Sequence, residues 1–112
     1  MRHDPAGAHF ALQARDAARW RLEGALTFAT ARRACAAGLE RLRATGQEPL
    51  TIDCGGVTEA DSAGLAVLLE WLGEARRQGR TLRLEAVPAG LTALARISEV
   101  SGLFEAATGP RA

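Results

Sequence analysis

The run Asp61-Ser62-Ala63-Gly64-Leu65 is the most informative place in this sequence, because its residue types and spacing could do chemistry. A serine just ahead of a helical pattern is a good N-cap. Placed there, Ser62 would expose its hydroxyl at the positive end of a helix dipole. The first-turn N–H groups of Ala63, Gly64 and Leu65 would point outward unsatisfied, and the small Ala63 and Gly64 would leave the backbone open to close approach. Such a site suits an anion, a partner's side chain, or a phosphate placed on Ser62 itself. From periodicity alone the plainer reading comes first: the serine is a cap, contributing roughly 1 kcal/mol.

Other reactive residue types are sparse. Cys54, at a strand end near Ser62, reads better as a small buried hydrophobe than as a reactive thiol. His3 and His9 lie near the N-terminus with no matching acid or nucleophile. Asp53 and Asp61 do not define an acid–base pair, and nothing supplies the base that would activate a serine or cysteine. Gly55-Gly56 is expected to be a turn, because no phosphate-loop run accompanies it. Cys35 and Cys54 make no CxxC and no metal-ligand spacing. The expectation is a chain with no catalytic residue, no metal and no cofactor. Trp20 and Trp71 suit either an interface anchor or the core.

The elements that must position Ser62 follow from periodicity. Phe10 and Leu12 alternate in a strand over 9–15, Asp16-Ala17 turn, and Trp20, Leu22 and Gly24 alternate in a second strand, giving a hairpin. Thr27 to Thr30 form a loop holding a candidate N-cap. The helix after it runs to Thr45 with Cys35, Leu39 and Leu42 on its apolar side, and Gly46 ends it. Leu50, Ile52 and Cys54 alternate in a strand closed by the glycines, with a loop over 57–61. Leu65, Leu68, Leu69, Leu72 and Ala75 then mark a helix ending near Gly79. Leu82, Leu84 and Ala86 make a strand, and Leu91, Leu94, Ala95 and Ser98 a short helix. Residues 101–104 read as a turn and a short apolar segment, with a final short strand as an option. Strands alternating with helices predict right-handed crossovers. The fold class is therefore α/β, a mostly parallel sheet of four to five strands with an N-terminal hairpin and three to four helices.

Composition bounds the function classes. The 112 residues fit one domain, and a hydrophobic fraction of 47% suffices for a core. Fourteen Lys plus Arg against thirteen Asp plus Glu give a net charge of +1, no electrostatic footprint for nucleic acid or an anionic membrane. The arginines are scattered on helical stretches as solvated faces. No apolar run approaches the roughly 20 residues that span a bilayer. With no signal peptide, two buried thiols fit a reducing compartment.

Asp61-Ser62-Ala63-Gly64-Leu65, following the strand Leu50-Thr51-Ile52-Asp53, resembles the signature of STAS domains, the anti-sigma factor antagonist family. The likeness takes in Gly24-Ala25-Leu26, Gln78-Gly79-Arg80, the strand Thr81 to Ala86, and Ser101-Gly102-Leu103-Phe104. It spans residues 8–105, leaving 1–7 and 106–112 as flexible termini. Leu26 to Thr30 and Gln78-Gly79 are most similar to the lipid-asymmetry maintenance branch. There the domain is a small cytoplasmic subunit that binds the ATPase of an ABC transporter moving phospholipids between bacterial membranes. The resemblance implies a non-catalytic, protein-binding domain, cytoplasmic and peripheral to the inner membrane only through its partner. It assigns the partner-binding face to Asp61, Ser62, Ala63, Gly64 and Leu65 with Thr27, Phe28, Thr30 and Thr58. It also maps the family's switch hydroxyl, a phosphorylation site, onto Ser62. The alternative it carries is an anti-sigma factor antagonist acting with an anti-sigma factor and a serine kinase. Those antagonists usually hold an Asp at the position of Thr27, where this sequence departs from their pattern.

Overall fold

The computed structural model describes residues 9–46, 48–98 and 101–108. Strand β1 (Phe10–Asp16) and strand β2 (Arg19–Leu26) pair antiparallel. Asp16 closes the turn between them by accepting the Ala18 N–H at 2.8 Å. Helix α1 (Ala31–Ala44) leads to strand β3 (Leu50–Ala60), helix α2 (Ser62–Arg77) to strand β4 (Leu82–Glu85), and helices α3 (Ala89–Ile97) and α4 (Ser101–Thr108) follow. The sheet order is β1-β2-β3-β4, with β2, β3 and β4 parallel. Two successive crossovers of one hand place α1 and α2 on the same side of the sheet. Trp20 and Leu22 of β2, Ile52 and Cys54 of β3, and Leu84 of β4 are buried in one core with Leu68 and Trp71 of α2. Both tryptophans are therefore core residues.

The expected α/β architecture is the one observed, and four local readings change. The buried stripe of α1 is Ala34, Gly38 and Leu42, with Cys35 and Leu39 only half-buried. The small residues take the inner positions because the Trp71 indole lies where a Gly38 side chain would be, its Nε1–H donating to the Cys35 carbonyl at 3.3 Å. β3 does not stop at Gly55-Gly56 but continues to Ala60. It advances from Asp53 to Gly56 while β2 advances only from Arg21 to Glu23, and from Val57 to Glu59 while β2 moves from Gly24 to Ala25. These are β-bulges, and glycine is needed at one of them: a Cβ on Gly56 would lie 2.9 Å from the Leu22 carbonyl oxygen.

β4 ends at Glu85, one residue before the Ala86 expected in it, and Ala86 takes a left-handed φ of 55°. The segment expected as a turn with a short apolar stretch is helix α4, whose Ala106 carbonyl accepts from Arg83 Nη1 at 3.2 Å and whose Ala107 is buried. The loose end expected from 106 onward is thus helical as far as Thr108. Residues 1–7 and 109–112 lie outside the described residues.

Candidate functional site

Parallel neighbours deliver their C-terminal ends to the same edge of the molecule. Leu26 at the end of β2 pairs with Ala60 at the end of β3, so the loop 27–30 and the start of α2 emerge side by side. The residue that joins them is Asp61. Its Oδ1 accepts the N–H groups of Ala63 at 2.9 Å and Gly64 at 3.2 Å, while Oδ2 accepts the N–H of Phe28 at 3.0 Å. The Asp61 carbonyl takes the Leu65 N–H at 3.1 Å.

This corrects the expected cap. Asp61 is the N-cap of α2, and Ser62 is its first helical residue. A carboxylate offers two acceptor oxygens, so one residue caps the helix and holds the neighbouring loop, which a hydroxyl could not do. The N–H groups of Ala63, Gly64 and Leu65 are not left open for an external anion. The chain supplies that anion itself. Gly64 is required beneath the cap, because a Cβ there would run into the Leu26 carbonyl oxygen.

The loop is shaped by Thr30, which is fully buried. Its Oγ1 donates to the Ala25 carbonyl at 2.8 Å and accepts the Thr27 N–H at 3.0 Å. Thr30 is the residue before α1 but makes no side-chain cap, because its hydroxyl turns back toward β2. Thr27 Oγ1 accepts the Ala29 N–H at 3.3 Å. The result is a tight loop that pushes Phe28 outward, 85% exposed. Burying an aromatic ring is worth a few kcal/mol, and this ring is left in solvent on a backbone held by the Asp61 carboxylate.

The residues expected on this face separate into two groups. Phe28, Ser62 and Thr58 are exposed, with Thr27, Asp61 and Ala63 half-exposed. Thr30, Gly64 and Leu65 are buried, so they shape the face from below and cannot offer side chains to a partner. The sequence reading missed what adjoins it. A groove of about 690 Å³ runs between α1 and α2, lined by Phe28, Ala31 and Cys35 on one side and Ala63, Ala66 and Val67 on the other. The signal was the alanines on the outer sides of both helices.

The remaining reactive groups lie elsewhere. Burial pushes the Cys54 thiol up to about 12, with the Asp53 charge adding to the effect, which leaves no nucleophilic thiolate near neutral pH. The Asp53 carboxylate is held below its ordinary range by the Gly55 N–H and by Arg21 at 2.7 Å. Among the described residues, no three His, Cys, Asp or Glu side chains gather as metal ligands, and no helix is long and apolar enough to cross a membrane.

A family model described as the Mlab STAS domain matches residues 10–105, from β1 through to α4. The chain belongs to the STAS domain family. Within it the chain is MlaB-like. None of the curated proteins compared matches it. Among solved structures it is similar to the anti-sigma factor antagonist SpoIIAA in its unphosphorylated form. The identity there is 11% with a TM-score of 0.68, over 93% of this chain and 89% of that one. It is also similar to a sulfate transporter family protein from Wolinella succinogenes, at 23% identity and a TM-score of 0.61, over 81% and 74% of the two chains. At these identities both likenesses speak for the fold. STAS domains generally mediate protein–protein contacts and are generally non-catalytic. In this STAS domain the exposed part of the signature is Ser62, with Phe28 beside it.

Proposed function

We propose that this STAS domain is a cytoplasmic subunit that docks on the ATPase of an ABC transporter moving phospholipids, and regulates it. The observation that carries the reading is the fixed, 85% exposed Phe28, tied through Asp61 to exposed Ser62 at the start of α2. The match to an MlaB-type model supports the choice of partner. The work is steric and allosteric, with no bond made or broken. The domain binds the membrane only through that partner. Ser62 contributes a hydrogen bond at the rim, and Phe28 the apolar anchor.

A second reading is favoured by one observation, the exposed Ser62 at the helix start. As a kinase substrate it would gain about −1.5 to −2 charges on the contact face, and the chain would act as an anti-sigma factor antagonist. The structure gives that phosphate a poor setting, since the Asp61 carboxylate already occupies the first-turn N–H groups.

Affinity capture of the tagged chain from its own cells, with mass spectrometry of bait and partners, separates the two. Recovery of an ABC ATPase and permease with unmodified Ser62 supports the transporter subunit. Recovery of a serine kinase or anti-sigma factor with phosphorylated Ser62 replaces it with partner switching.

A further inference from the structure

The groove between α1 and α2 has the shape and charge pattern to specify what lies in it. Its floor is small and apolar, made by Ala31, Cys35, Ala63, Ala66 and Val67, so another backbone can approach closely. Arg32 on the first turn of α1 and Glu70 in the middle of α2 also line it. Neither side chain has an ion-pair partner among the described residues. Helix α1 has no acidic residue in its first turn and no side-chain cap, so its positive dipole end adds to Arg32. Helices α1 and α2 both start beyond the paired ends of β2 and β3, which sets Arg32 near the level of Ser62. From Ser62 to Glu70 is about 12 Å along α2 at 1.5 Å per residue, roughly two helical turns.

We infer that the α1/α2 groove receives an amphipathic helix of the docking partner, running antiparallel to α1, with an acidic residue over Arg32 and a basic residue seven positions earlier against Glu70. The inference rests on the reading that a protein docks at this face, and it names the segment that does so. An apolar ridge at i, i+3, i+4 and i+7 fills a groove of this kind. The partner helix brings its negative C-terminal end to the positive end of α1, which fixes its direction. Charge pairing of this sort sets register and orientation more than total affinity.

The probe is a pair of synthetic 18-residue helical peptides of identical composition. Each has one leucine ridge. One carries Lys and, seven residues later, Glu on the groove-facing flank, and the other has these two exchanged. Binding to the full chain is followed by fluorescence anisotropy and by amide shifts. The Lys-first peptide is expected to bind about tenfold more tightly than the exchanged one, with shifts at Ala31, Cys35, Ala66 and Val67. The double variant Arg32→Glu, Glu70→Arg is expected to reverse the preference, and its circular dichroism confirms that it folds. Equal affinity of the two peptides, no binding of either, or shifts on another face overturns the inference. Because the peptides contain no ATPase sequence, this result stands apart from the identity of the cellular partner.

Discussion

The Asp61 carboxylate accepts the backbone N–H of Phe28 at 3.0 Å across two strands of the sheet, while its other oxygen caps α2. One side chain thereby couples the outermost aromatic of the loop to the helix that presents Ser62. The coupling ties the Phe28 loop to the start of α2 through one side chain.

Asp61→Asn separates the two duties. The amide oxygen still caps α2, but an NH2 group faces the Phe28 N–H, and two donors cannot bond. Stability measured by urea unfolding should fall by less than about 1 kcal/mol, since this bond is solvent-exposed. Amide exchange at Phe28 should quicken while that at Gly64 stays slow. Equal protection of both in the variant would show that the loop is held by something else.

Leu68 is fully buried beneath the sheet. Leu68→Ala is expected to lower unfolding stability by about 2–5 kcal/mol, combining lost transfer energy with a residual cavity. A loss near zero would show that α2 buries a different side.

The Glu74 carboxylate is held below its ordinary range by Arg77, then Gln78 and Arg43, with Arg77 Nη2 at 3.0 Å and Gln78 Nε2 at 3.1 Å. A lowered folded-state value means the unfolded chain binds this proton more readily. The stabilisation is present above the unfolded value of about 4.3 and disappears as pH falls through the lower folded value. Glu74→Gln should therefore give a shallower loss of stability below about pH 5 than the parent. An unchanged acid limb in denaturation curves across that range would count against the ion pairs.

The Cys54 thiol, 1% exposed and raised to about 12, is expected to stay silent toward a thiol reagent at pH 8 until the protein unfolds. Half-buried Cys35 should react first. Native-state labelling of Cys54 at the rate of Cys35 would mean that β3 opens locally.

Much of the fold could be read in advance because its signals are periodic. Trp20 with Leu22, Ile52 with Cys54, and Leu65 with Leu68 and Leu72 identify their elements by spacing alone. Three features resist that reading. In β3, Gly56 looks like a strand terminator, and only the Leu22 backbone opposite shows that it permits a bulge. In α1, hydropathy points to Cys35 and Leu39, whereas the contact is chosen by Trp71, a residue 33 positions after Gly38 in the chain. At the site, Asp61 and Ser62 are both good N-caps by residue type. Which one caps depends on the Phe28 N–H, a long-range partner that no local pattern reveals. The sequence names the residues expected on this face, but not their division into buried Thr30, Gly64 and Leu65 and outward Phe28 and Ser62.

The most direct test of the account is the affinity of the purified chain for a phospholipid-transporter ABC ATPase from the same cells, compared across the parent, Phe28→Ala and Ser62→Asp. Both variants should keep the parent's circular dichroism, since both side chains are exposed. Phe28→Ala should weaken binding by at least about tenfold, as loss of a buried aromatic anchor does. Ser62→Asp should weaken it comparably by placing a second negative charge beside Asp61. Parental affinity in both variants, or no ATPase binding by the parent chain, would contradict the claim that this face docks on the transporter.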